Sequence, residues 1–239
     1  MDGEGGDVEA AGPDDPAILA RRALTRVQVW RPDLAPDQRY VPLADLDLRA
    51  LAASVCRRLG NPPMRVGWSA ALMGVASRLW SVSVVPFVTD HALVDPGCLL
   101  VRDDDGAVVL GVRNPRARTD ATVGDLDHAV RGVLEPMITA IPLADRLLWG
   151  NAAASLSAVP RVHALPGARA VVDVLLAGPG FAGELVPAEG GRARRRTCCL
   201  FYLIPGAGLC GDCVFEVPPA RTRPRRRLAS LDPPATGTR

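Results

Sequence analysis

Cys198-Cys199, then ten residues, then Cys210-Gly211-Asp212-Cys213: four of the six cysteines fall within one sixteen-residue segment near the end of this 239-residue chain. A segment so dense in thiols is shaped by what the sulfurs bind, because gathered soft thiolates hold an iron–sulfur cluster or a zinc ion. Disulfides fit the pattern poorly. Consecutive Cα atoms stand about 3.8 Å apart, below the usual disulfide range, so Cys198 and Cys199 do not readily pair with each other. A redox-active Cys210–Cys213 pair would leave the vicinal pair without a role.

Spacing weighs the two metal readings against each other. Structural zinc ribbons use two separated C-x-x-C knuckles, each turning two thiolates onto one ion. Only Cys210–Cys213 has that form, and a vicinal pair is awkward in a tight tetrahedral knuckle. A two-iron cluster is broader, takes two thiolates on each iron and tolerates an irregular first pair better. The pattern favours a cluster and leaves zinc open.

The flanks carry a resemblance. Arg195-Arg196-Thr197-Cys198-Cys199-Leu200-Phe201-Tyr202 runs through Pro205-Gly206-Ala207-Gly208-Leu209 into Cys210-Gly211-Asp212-Cys213, and this run resembles the C-terminal [2Fe–2S] signature of the FhuF-type ferric-siderophore reductases. The resemblance implies that Cys198, Cys199, Cys210 and Cys213 together ligate one [2Fe–2S] cluster. It also implies an oxidoreductase that reduces siderophore-bound Fe(III) to Fe(II) in the cytoplasm. Elsewhere it is faint. Trp149-Gly150-Asn151 resembles a further family feature, to which no substrate role is assigned.

The implied chemistry is coherent. A [2Fe–2S] cluster exchanges one electron, and hard hydroxamate or catecholate oxygens hold Fe(III) tightly but Fe(II) poorly. A ferric siderophore, of hydroxamate type, is the expected substrate. The chain has no P-loop and no G-x-G-x-x-G, so nucleotide and flavin binding have no support, and the electron must come from a ferredoxin or flavodoxin system. The alternative is an iron–sulfur or zinc-stabilised binding or sensor module without reductase activity.

Composition sets the frame for that site. The 48% apolar content suffices for one core-bearing domain with a small appendage, and aromatics at 4% leave the core to Ala, Leu and Val. All 28 basic residues are arginine, yet the net charge is only +2, too small to imply nucleic acid. Charge is unevenly spread: the first sixteen residues are acidic, and ten arginines lie in the last fifty. The acidic N-terminal stretch lacks the apolar core of a secretory signal. The most apolar stretch, from Val66 to Val88, is broken by Arg78 and Pro86, so no membrane span is expected.

Periodicity predicts a mainly α (α+β) fold. Residues 1–15 are Gly/Asp/Pro-rich and expected to be disordered, followed by a helical domain over 16–178. Helices are expected at 16–30, 43–59 (capped by Asp45 or Asp47), 64–84, 122–140, 143–159 and 167–177. One β hairpin, near 98–112, turns at Asp105-Gly106. The cysteine-rich, cluster-binding appendage spans 179–217, and an Arg/Pro-rich tail over 218–239 is expected to be disordered.

Other residues are weighed against ordinary roles. Gly206, Gly208 and Gly211 interleave with the cysteines and suit a backbone that aims N–H groups at sulfur. Arg192, Arg194, Arg195 and Arg196 would raise the potential of an anionic cluster or steer an acidic donor; equally, they form a solvated charge run. Arg221 to Arg227 read as a solvated tail without base-stacking aromatics. His91, His128 and His163 are isolated and receive no metal duty, while Cys56 and Cys98 read as small buried hydrophobes. Asp125 and Asp127 fit the first turn of a helix better than an acid–base pair.

Overall fold

The computed structural model describes residues 15–188 and 193–219. The expected disorder of the N-terminal stretch and of the arginine-rich tail falls on 1–14 and 220–239, outside the described residues, as does Arg192. The architecture is mainly α with short strands, in agreement with the sequence.

Local chemistry sets three of the helix starts. Helix α1 (Pro16–Leu24) begins where the Asp15 carboxylate accepts from the N–H groups of Ala17 and Ile18 at 2.7 and 3.3 Å. It ends well short of residue 30. Thr25, Val27 and Val29 are β-branched and Arg31 precedes a proline, so the chain leaves the helix and Trp30 turns into the left-handed region at φ 55°. Strand β1 (Val41–Pro42) precedes a 3-10 turn at Leu43–Asp45, which breaks at the extended Leu46. Helix α2 (Leu48–Arg58) then starts on Asp47, whose carboxylate accepts from Ala50 N–H at 2.9 Å. The helix expected over 43–59 is thus two pieces, with Asp47 rather than Asp45 as the cap.

Helix α3 (Met64–Asp90) is the hub, 27 residues long and flanked by α1, α2 and the later helices. It runs past the expected end at 84 and through Pro86, closing at His91 with φ 52° and an Ala92 N–H to Pro86 carbonyl bond of 3.2 Å. Packing on all sides outweighs the one backbone bond that a proline deletes. Among the described residues α3 is the one helix long and apolar enough to cross a membrane, and 67% of its most apolar stretch is buried within the protein.

The hairpin forms as expected. β3 (Leu99–Asp104) and β4 (Ala107–Val112) pair antiparallel around Asp105-Gly106, whose φ values of 49° and 81° define the turn that an Asp-Gly pair favours. It is not alone, however: β1 pairs with β3, while β2 (Leu93–Val94) and β5 (Ala117–Arg118) form a separate ribbon. These extra strands are two residues long, too short for period-two alternation to announce them. Cys98 lies in a 3-10 turn just before β3, buried, with its thiol donating to the Asp95 carbonyl at 2.8 Å. Burial pushes that thiol up to about 11.

Helices α4 (Val123–Ala140), α5 (Asp145–Val162) and α6 (Ala168–Ala177) pack onto α3. α4 opens with a capping box in which Thr122 and Asp125 satisfy each other's backbone N–H groups, the ordinary reading given to Asp125. Pro160 sits inside the last turn of α5 rather than beyond it. After α6 the chain is pinned by Phe181, 1% exposed and edge-on to both Trp80 (5.7 Å) and Trp149 (5.5 Å). From there β6 (Leu185–Pro187) pairs with β7 (Ala193–Arg195), which delivers the chain to the cysteines.

Candidate iron–sulfur centre

The cysteine loop begins at the end of β7 and is fastened at both sides. Arg195 N–H bonds to the Asp212 carbonyl and Arg196 N–H to the Glu184 carbonyl, each at 3.0 Å. After Cys199 the chain turns through Leu200 in the left-handed region at φ 66°, makes a 3-10 turn at Phe201–Leu203 and returns to Cys210. The second pair is a knuckle closed by Cys213 N–H to the Cys210 carbonyl at 3.2 Å.

All four sulfurs belong to free cysteines: Cys199 is buried, while Cys198, Cys210 and Cys213 are half-buried. Cys199 Sγ and Cys210 Sγ approach to 3.4 Å, so the two arms of the motif meet sulfur to sulfur. Backbone N–H groups point at the other two sulfurs, Leu200 N at Cys198 Sγ (3.3 Å) and Phe215 N at Cys213 Sγ (3.4 Å). These donors are not the glycines singled out in the sequence. Gly206 and Gly208, at φ 77° and 71°, instead turn the chain back toward Cys210.

Electrostatics separate the thiols. The Cys210 thiol donating to Cys199, with the nearby Arg195 guanidinium, pulls Cys199 below the ordinary thiol range. Cys210 moves the opposite way because it is the donor. Burial raises Cys198, against the pull of the Leu200 N–H and Arg195.

Arg195 is the centre of a buried network. Only 3% exposed, it donates from Nε to Asp212 at 2.6 Å and from Nη1 to Asn151 Oδ1 at 2.5 Å, and Nη2 rests 3.8 Å from Met73 Sδ. Asn151, fully buried on α5, donates through Nδ2 to the Ser69 carbonyl (3.1 Å) and Ser69 Oγ (2.8 Å). Ser69, on α3, donates from Oγ to the Cys199 carbonyl at 2.7 Å. The chain of bonds therefore starts in the knuckle, crosses both central helices and returns to the first cysteine pair.

The arginine run thus divides its labour. Arg195 is buried, Arg194 pairs with Glu216 at 3.1 Å and Arg196 is exposed. α5 comes so close to this loop that a Cβ on Gly150 would collide with Thr197 Oγ1. Trp149-Gly150-Asn151 is thereby explained as a docking face: Trp149 packs on Phe181, Gly150 clears Thr197 and Asn151 grips Arg195. Sequence reasoning missed Ser69 and Asp212 and undervalued Asn151. The signal available was a lone amide on an otherwise Ala-rich stretch of α5.

Beside the knuckle lies a cavity of about 740 Å³ whose walls include Cys210, Cys213, Arg194 and Phe215. Among the described residues no three His, Cys, Asp or Glu side chains converge as they would around a single ion. His91, His128 and His163 lie on other elements, away from the cysteine loop; His163 bonds Ser81 Oγ at 2.8 Å. Four reduced thiols on one loop, amide donors aimed at two of them, an adjoining buried guanidinium and open volume at the knuckle form a donor set that fits an iron–sulfur cluster.

Fold and site together define a mainly helical protein with an iron–sulfur segment at its C-terminal end. Residues 195–215 match the FhuF 2Fe-2S C-terminal domain, and the cofactor of that segment is a [2Fe–2S] cluster. No curated protein matches the chain.

Proposed function

We propose that this protein is a cytoplasmic ferric-siderophore reductase in which Cys198, Cys199, Cys210 and Cys213 hold the [2Fe–2S] cluster. The observation that carries the reading is the gathering of all four cysteines in the segment that matches the FhuF 2Fe-2S domain. When bound, the cluster supplies one-electron transfer at a thiolate-ligated centre.

The chain's own residues prepare that centre. The Leu200 and Phe215 N–H groups and the Arg195 guanidinium favour negative charge on the sulfurs, and so favour the reduced state. The Arg195–Asn151–Ser69 network holds both arms of the loop against α3 and α5. The substrate is a ferric siderophore of hydroxamate type. Its Fe(III) becomes Fe(II) by gaining one electron, and the same hard oxygens then release the ion because they bind Fe(II) poorly. An external one-electron donor of ferredoxin or flavodoxin type supplies that electron.

The test is protein purified anaerobically, assayed for iron, acid-labile sulfide and visible absorption before and after dithionite. The reading expects a brown protein with equal iron and sulfide that bleaches on reduction, and whose reduced form yields Fe(II) from a ferric trihydroxamate. A colourless protein carrying zinc would favour the binding-module alternative. A loaded, reduced protein that leaves ferric chelates untouched would remove the reductase activity.

A further inference from the structure

A second cavity, of about 560 Å³, is walled in part by the same knuckle. Both cavities share Ala193, Gly211 and Asp212 as wall, but their other walls differ. Cys210 and Cys213 line the first; no cysteine lines the second, which opens between α3, α5 and α6. The turn between the two knuckle cysteines is thus a partition, with the thiol side on one face and a groove of the helical body on the other.

The groove has the walls of a small-molecule site, and its volume falls within the range such sites occupy. Ser77 donates to Ser155 at 3.0 Å, which leaves the Ser155 hydroxyl proton to offer, while Met73 and Val172 give an apolar floor. Its charges nearly cancel. Asp173 pairs with Arg169 at 3.0 Å and Asp212 with Arg195 at 2.6 Å, whereas Arg161 has no ion pair among the described residues. One unpaired cation above hydroxyls and apolar surface suits an organic chelate that is neutral or singly negative. A triply negative one would meet too little positive charge.

We propose that the ferric chelate binds in this groove, under Arg161 and against the outer face of the Gly211–Asp212 turn; the inference rests on the reductase reading above. Only that turn then separates the substrate iron from the thiol side of the knuckle. Electron transfer falls steeply with distance, so this is the face of the helical body where a docked chelate is reducible. The first cavity is reserved by its two cysteines for the cluster.

The gallium(III) complex of N-acetylated desferrioxamine B, a neutral and redox-inert counterpart of the ferric trihydroxamate, separates binding from reduction. Calorimetric titration into the cluster-loaded protein is expected to show one site. Ala158→Trp, which fills the groove from α5, and Arg161→Glu, which reverses its unpaired charge, should each weaken that binding about tenfold or more. The visible spectrum should remain that of the wild type. Arg161 is exposed, so its variant carries the test even if the tryptophan variant fails to fold. A triply anionic gallium tris-catecholate should bind more weakly than the hydroxamate, and equal binding would overturn the charge assignment. Wild-type affinity in both folded variants, with the wild type still reducing the ferric complex, would overturn this location and spare the reductase reading. A wild type that neither binds the gallium complex nor reduces the ferric one would overturn both.

Discussion

Arg195 holds the cysteine loop through Asp212 and Asn151, and both would be stranded by its loss. Arg195→Gln removes a buried charge and its fork, leaving Asp212 and Asn151 Oδ1 without their donor. Asp212 is partly exposed and can be rehydrated, so urea unfolding should register the loss of charge-assisted hydrogen bonds, about 1.5–3 kcal/mol. The same variant should lower the cluster's reduction potential, since a cation beside the sulfurs is gone, whereas Arg195→Lys should recover part of the potential but not the fork. A potential unchanged in Arg195→Gln would leave the residue a purely structural clamp. Cys210→Ser and Cys213→Ser should each abolish the cluster and the reductase activity, read as lost visible absorption and lost Fe(II) release. Full activity without a cluster in either variant would refute the ligand assignment.

At the scale of elements, two local devices can be tested separately. The Asp125 carboxyl is held down to about 2, from 3.8, first by the Thr122 hydroxyl, then by the Thr122 N–H and the Arg118 guanidinium. A depressed carboxyl contributes stability that is fully present above its unfolded value and is lost as pH falls through its folded one. The difference in unfolding midpoint between the wild type and Asp125→Asn should therefore persist at neutral pH and close between 3.8 and about 2. The second device is the approach of α5 to the loop. Gly150→Ala should drive Thr197 aside and reduce the iron retained after gel filtration. Thr197→Ala in the same chain should restore it, because the colliding hydroxyl is then absent.

For the molecule as a whole, the aromatic trio Trp80, Phe181 and Trp149 joins the helical body to the segment that leads into the site. Phe181→Ala should cost about 3–5 kcal/mol, as truncation of a buried phenylalanine does. Because Phe181 precedes β6, the loss should also show as faster proteolysis between α6 and the cysteine loop. Cleavage at the wild-type rate would mean that β6 and β7 hold that segment without it.

The sequence by itself determined what is local. The helix starts near 16 and 122 and the Asp105-Gly106 turn rest on a few neighbouring residues, so α1, α4 and the hairpin were legible, whereas α2 begins five residues later than its pattern suggested. The cysteine spacing was legible for the same reason, since the chemistry of four thiols depends on their type and order. Tertiary structure decided the rest. α3 runs through Pro86 because its neighbours bury it, and Trp30 is brought against Arg78 only when the segment after α1 packs on α3. No spacing rule could assign Ser69, Asn151, Arg195 and Asp212 to one network, because hydrogen bonds between residues so distant in sequence exist only once α3, α5 and the loop have packed. Of Arg194, Arg195 and Arg196, one is buried while another faces solvent, and only the fold distinguishes them: a guanidinium leaves water where enough fixed acceptors replace it, and those acceptors come from elsewhere in the chain.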